Sequence, residues 1–337
     1  MNRVDQVLAS VDHWQRNQRV VPVIYGVVKK FGDDNANQYV VALGWYGFVA
    51  IYPLLLVVVT ILGFVGAASL GHTVVSTLHD FPVIGTQFNP ASPESLKGSG
   101  VGLVIGLIGL LYGAQGVTQT VQQAMAGVWN VPKVDLPGFL PRLLRSLVAL
   151  FTIGGAFVVN ATAGTIVTNT GTGFLIRIPA LIGMVLLNAA LYTAVFVATT
   201  PGGVRPQALL PGATLASLGF TFLITLGSGL VQHQLKHSSA TYGQFGLVIG
   251  LVGFLFLLAK ISLYGAELNP VLSRRLWPRG LRSADPTPAD DRVLAHIVHE
   301  TRRREDQVIG VGFGEYAAAE ASTNARGVSE LAVEQQE

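Results

Sequence analysis

Between Val40 and Asn269 the chain is a succession of apolar stretches interrupted by very few charges. Val40–Leu62 is the clearest, with 23 residues and no Asp, Glu, Lys, Arg or His. A helix rises about 1.5 Å per residue, so such a segment crosses a hydrocarbon core of about 30 Å. The same pattern predicts five further spans, at Gly100–Gln122 (continuing as helix towards Trp129), Leu147–Thr168, Ile178–Thr199, Leu209–Val231 and Phe245–Leu268. Ser146–Val204 holds a single charge, Arg177, over 59 residues. That is too long for one crossing, and the turn-rich run Thr168-Asn169-Thr170-Gly171-Thr172-Gly173 divides it into two helices. The expected fold is an all-α integral membrane protein, a bundle of six transmembrane helices.

Basic residues orient the bundle. With the N-terminus inside, the inner pieces carry five Lys or Arg before Val40, three between the second and third spans, Arg205, and nine after the sixth span. The outer pieces hold only Lys97, Arg177 and Lys236. Both termini are therefore expected in the cytoplasm. The chain divides into a cytoplasmic amphipathic segment (1–38), a six-helix transmembrane domain (39–272) and a polar cytoplasmic tail (273–337), partly disordered. In the first segment Val4, Val7, Leu8, Val11 and Trp14 recur at helical spacing, as do Val21, Ile24, Tyr25, Val28 and Phe31, with Lys29 and Lys30 beside them. Two placements suit these stripes, a helix lying in the headgroup layer and a short helix packed beneath the bundle. The large exterior loop is Gly71–Gly98. In the tail, Asp290–Gln307 is expected to be helical, with acids at its start and Arg302–Arg304 near its end, matching the helix dipole. Beyond Gly310 the small and polar residues suggest disorder.

Composition agrees with a membrane bundle. Half of the residues are hydrophobic and 12% are charged, against about 25% charged in an ordinary soluble domain. A net charge of +3 does not mark a nucleic-acid binder, and no nucleic-acid partner is expected. The absence of cysteine excludes disulfides, thiolate nucleophiles and Cys-ligated metals. The first 38 residues lack the short apolar core of a cleaved signal peptide, so Val40–Leu62 itself suits an insertion signal. No catalytic motif, cofactor or metal site is expected. His296-x-x-His299 followed by Glu300 resembles half a metal site, but it lies in the polar tail, where a solvated helix face is the simpler reading. Gly-rich runs at Gly98–Gly102 and Gly310–Gly314 lack the context of a phosphate loop.

Polar residues inside the apolar spans carry the functional expectation. Lys260, Tyr264 and Glu267 lie at i, i+4 and i+7, on one face of the sixth span. A charge in mid-membrane costs at least about 2.5–3.5 kcal/mol, so these groups need partners or water. They suit either a polar transport site or a structural ion pair, directly or with Arg142 or Arg145. Gln115, Gln119 and Gln122 share a face of the second span. Thr221 and Thr225 belong to a hydroxyl stripe on the fifth with Ser217 and Ser228, while Asn160 and Asn188 lie in the third and fourth. Together these residues are expected to line a central hydrophilic cavity. Gly102-x-x-x-Gly106, Gly109-x-x-x-Gly113 and Gly246-x-x-x-Gly250 allow close helix approach. Packing within the chain is their simplest use, and a homo-oligomer the alternative. Gly102–Tyr112 and Gly246–Phe256 match at eight of eleven positions. The two spans run in the same direction, so this echo lends no support to an inverted repeat.

The run from Phe31-Gly32-Asp33 through Ala42, Tyr46 and Tyr52-Pro53-Leu54-Leu55 resembles the first-span signature of the YihY/BrkB family, and of its YhjD-like branch in particular. Trp129-Asn130, Tyr242-Gly243-Gln244-Phe245-Gly246 and Gly265-Ala266-Glu267-Leu268-Asn269 fit the same pattern. The resemblance covers about Val20 to Leu272. It implies six helices in the bacterial inner membrane. Family labels range from ribonuclease BN to virulence factor, and no residue pattern here supports the nuclease. Envelope and lipid-export phenotypes in the family imply a transporter or flippase-like protein for a lipid or other amphiphile. A non-transporting envelope scaffold is the alternative. Membrane lipids are the expected partners. Lys260 lies outside the family pattern.

Overall fold

The computed structural model describes residues 3–65, 100–138, 174–202, 204–238, 243–282 and 285–313, with scattered positions between 140 and 152. Among these residues all regular structure is helical. The helices are α1 (Arg3–Arg16), α2 (Val21–Asp33), α3 (Asn37–Val65), α4 (Gly100–Val128), α5 (Phe174–Thr199), α6 (Leu210–Ser238), α7 (Gly243–Ser273) and α8 (Pro288–Glu300). Short 3₁₀ turns lie at Lys133–Asp135 and Pro206–Leu209.

Four described segments are long and apolar enough to cross a membrane: Val104–Val128, Ile178–Thr199, Pro206–Ile224 and Val248–Ser273. They coincide with the second, fourth, fifth and sixth spans expected from sequence. The first expected span lies within α3, a 29-residue helix. The third expected span, with Asn160, falls almost entirely outside the described residues, as does the loop Gly71–Gly98.

The chain forms two units. One contains Val27–Trp129 and Pro137–Arg274. In it α3 packs on α4 and on α7, α7 on α6, and α6 on α5. Small residues let these helices touch. A Cβ placed on Gly113 would lie 2.8 Å from the Cα and Cβ of Ala50 in α3. Gly109 and Gly113, one of the Gly-x-x-x-Gly pairs, thus face α3 within the chain. The α6–α7 crossing is as close, because a Cβ on Gly212 would stand 2.0 Å from the carbonyl of Gly265. Asn269 Oδ1 accepts the Gly212 N–H at 2.7 Å across the same crossing. Where lipid gives no hydrophobic drive for association, such contact supplies the packing energy.

The other unit comprises Met1–Gly26, Asn130–Leu136 and the segment from Arg275 onward. Its centre is polar. Asp290 accepts from Arg279 Nε at 2.6 Å, the Gly280 N–H at 2.8 Å, and both the N–H and hydroxyl of Thr287. Thr287 caps α8, and with Asp290 it forms a reciprocal capping box that fixes where the helix starts. α8 ends at Glu300, about two turns short of the expected Gln307. Arg302 turns out of the helix to pair with Asp135 at 2.6 Å. α1 joins this unit through Gln15, which donates to the Arg279 carbonyl at 2.7 Å, and through Arg16, which pairs with Asp12 and Asp285. Burial would raise the Asp12 pKa. Hydrogen bonds from the Leu281 N–H, Gln15 and Arg16, with the Arg16 charge, outweigh it and hold the carboxyl below its usual range.

Candidate functional site

Three helices of the bundle unit end close together. α2, α4 and α7 are each followed by a residue with positive φ, respectively Asn35 (52°), Asn130 (48°) and Arg275 (52°). Such left-handed caps stop a helix cleanly, and Asn tolerates them better than most residues. The C-terminal ends of α2, α4 and α7 then supply an electronegative setting, since the last carbonyls of a helix carry the negative end of its dipole.

Lys30 sits in that setting. Its side chain is 0% exposed. Nζ donates to the Val128 carbonyl of α4 at 2.8 Å and to Glu267 Oε2 of α7 at 3.1 Å, and it also pairs with Asp34. Glu267 is equally buried, and its Oε1 finds no hydrogen-bond partner among the described residues. Burial alone would depress the Lys30 pKa. The charges of Glu267 and Asp34 outweigh it and hold the ammonium above its ordinary range. Beside Lys30, the Phe31 ring stacks on Tyr264 with centroids 4.2 Å apart. Consecutive residues of α2 therefore engage residues three apart on α7, one by charge and one by ring contact. At the same end Arg274 donates to the Trp129 carbonyl at 3.1 Å and lies over the Trp129 ring at 5.3 Å. Burial lowers the Arg274 pKa, and the Asp34 charge opposes the shift. A recess of about 450 Å³ is lined by Phe31, Gly32, Asn35, Asn37 and Gln38.

The structure redistributes the residues singled out from sequence. Glu267 is at the centre of a charged cluster, but the cation on it is Lys30, not Lys260, Arg142 or Arg145. Lys260 is exposed on α7, while Tyr264 is half-buried against Phe31. Gln115 and Gln119 are exposed on α4, and only Gln122 turns inward, donating to the Arg142 carbonyl at 3.2 Å. Thr221 and Asn188 are buried on α6 and α5. The side chain of Thr225 and the whole of Asn160 lie outside the described residues. The glutamine face of α4 and the charged face of α7 are thus not brought to one site. A helical stripe shows which residues share a face, but not what that face meets. Sequence reasoning missed Lys30 and Asp34. The available signal was an i, i+4 pair of opposite charge beside the buried Val27 and Phe31.

Residues 27–289 match the family described as Virulence factor BrkB. The chain belongs to the BrkB family. The match takes in Lys30, Asp34, Arg274 and Glu267, whereas α1 precedes it. Among known proteins, BrkB-family resemblance extends to "Inner membrane protein YhjD" of Escherichia coli (strain K12), 23% identical over 293 residues, covering 79% of this chain and 86% of that protein. An uncharacterized protein of Dickeya dadantii (strain 3937) is 24% identical over 288 residues, covering 77% of this chain and 87% of its own length. No solved structure gives a significant match. With its several membrane-spanning helices, this BrkB-family chain is a multi-pass protein of the bacterial inner membrane.

Proposed function

We propose that this BrkB-family protein is a non-enzymatic transporter or flippase-like protein for a lipid or other amphiphilic envelope molecule. In this reading it has six spans and both termini in the cytoplasm, and the Lys30–Asp34–Glu267 cluster is its charged centre. One observation carries the reading. A lysine and a glutamate, both fully buried, meet where three helices end, and one glutamate oxygen has no partner among the described residues. A buried ion pair is a poor stabiliser compared with apolar packing, so a polar cargo group or a proton gives this one a use. The test is reconstitution into liposomes with labelled envelope lipids, wild type beside Glu267→Gln. Movement above empty vesicles that is lost in the variant supports the proposal. No movement for any envelope lipid class overturns it.

A scaffold acting through the C-terminal segment is the second reading, favoured by the folded unit around Asp290. Removing everything from Ser283 would strip Asp290 from Arg279, so a loss of function there would not separate recruitment from misfolding. Truncation after Phe313 leaves those contacts in place. Full activity of that shorter chain would exclude a scaffold role for residues 314–337.

A further inference from the structure

The N-terminal helix is arranged inside out. Among its described side chains, the ones α1 buries are Asp12 and Gln15, each 3% exposed. Its exposed residues include Val7 at 61%, Val11 at 45% and Trp14 at 57%, at i, i+4 and i+7 on one stripe. Val20, just before the next helix, and Ile24 and Val28 on it are exposed as well, although α2 buries Val27 and Phe31 beside Lys30. A soluble helix does the reverse, turning its apolar stripe to the core. On α1, apolar side chains pointing outward with polar groups held inside by hydrogen bonds suit an apolar medium on the outside.

The sequence around the stripes selects the occupant. Only the three residues 34–36 separate α2 from α3, the helix that contains the first apolar span, and four residues separate α1 from α2. Arg19 is exposed between the two helices, and Lys29 lies on α2. Trp14 belongs to the residue type that concentrates at membrane–water boundaries, where an apolar ring and a polar N–H are both accommodated. An interfacial helix pairs an apolar face with basic residues that meet anionic headgroups. We infer that α1 and the first turns of α2 lie in the headgroup layer of an anionic membrane, with Val7, Val11 and Trp14 inserted towards the acyl chains. The hydrogen bonds between α1 and Arg279, Leu281 and Asp285 then hold the segment after α7 at the lipid surface. This surface is independent of the charged cluster and of any transport it performs.

The chain has no cysteine, so single labels are unambiguous. Val7→Cys, Val11→Cys and, as the water-facing control, His13→Cys, exposed about 120° round the helix from Val7, are each spin-labelled in the full-length protein. The proteins are placed in nanodiscs of phosphatidylethanolamine with phosphatidylglycerol. Collision rates with oxygen, which partitions into lipid, are compared with those of a water-soluble nickel complex. The expected oxygen-to-nickel ratio is several-fold higher at positions 7 and 11 than at 13, and it falls in discs of pure phosphatidylcholine. Water-like ratios at 7 and 11 overturn the inference. Exclusion of both reagents at these positions also overturns it, because it means that a protein or a second copy covers the stripe. A ratio unchanged by lipid charge overturns the anionic preference.

Discussion

Lys30 holds two carboxylates at once, and this asymmetry decides what each substitution does. Glu267→Gln leaves Asp34 to balance the ammonium, so the variant is expected to insert and accumulate near wild-type level. A loss of transport in that protein then reports function and not folding. Lys30→Met leaves Asp34 and Glu267 buried without their cation. Breaking a buried pair in this way costs about 3–5 kcal/mol, visible as a lower Tm in detergent and reduced abundance in membranes. The two variants should separate sharply, and equal loss of abundance in both would contradict the geometry. The folded-state pKa of Lys30 lies above its unfolded value of about 10.4. Its contribution is therefore complete below that pH and lost only as pH rises through the folded value. Asp12 behaves in the opposite sense. Its folded pKa is lowered from an unfolded value of about 3.9, so its contribution is present above that pH and disappears as pH falls through the folded value. Asp12→Asn should lower Tm at pH 7, and the gap to wild type should close on acidification below pH ~4.

Helix contacts in the bundle depend on where a side chain is missing. Gly113 meets the backbone of Ala50, so Gly113→Val is expected to push α4 off α3 and to cost about 1–3 kcal/mol, the usual penalty of overpacking. Gly183 on α5 has nothing within 4 Å of a built Cβ. Gly183→Ala should therefore be neutral or slightly stabilising, since Ala is the better helix former. Thermal melts of the two proteins in the same detergent provide the comparison. The spans themselves were legible in the chain, because long runs without charge have few other uses. Glu267 was legible for the same reason, as an acid near the end of an apolar run. Its partner was not. Lys29 and Lys30 read as a basic pair at the headgroup level, and nothing local distinguishes the lysine that is half-buried from the one that is fully buried. The exposure of Gln115 and Gln119 was equally hidden, because period alone does not orient a face.

At the scale of the whole molecule, two units with different physics share one chain. The bundle is held by close backbone approach and one buried charge cluster. The other unit is held by hydrogen bonds converging on Asp290 and Asp12. Deleting residues 283–337 removes Asp285, Thr287 and Asp290, so reduced protein level is expected, while deletion of 314–337 should leave it unchanged. Immunodetection in isolated membranes measures both. The expectation of a polar tail missed this folding because Arg279 and Asp290, and still more Asp12 and Leu281, are neighbours only in space.

The bond between Lys30 and Glu267 spans 237 residues of sequence, and that has a consequence for biogenesis. A ribosome adding about 5–20 residues per second presents the lysine roughly 10–50 s before the glutamate. Until α7 has been inserted, Lys30 has no Glu267 to enter with and must stay hydrated, with Asp33 and Asp34 of its own segment as counter-charges. α2 is therefore expected to dock last, as a latch that closes on a finished bundle.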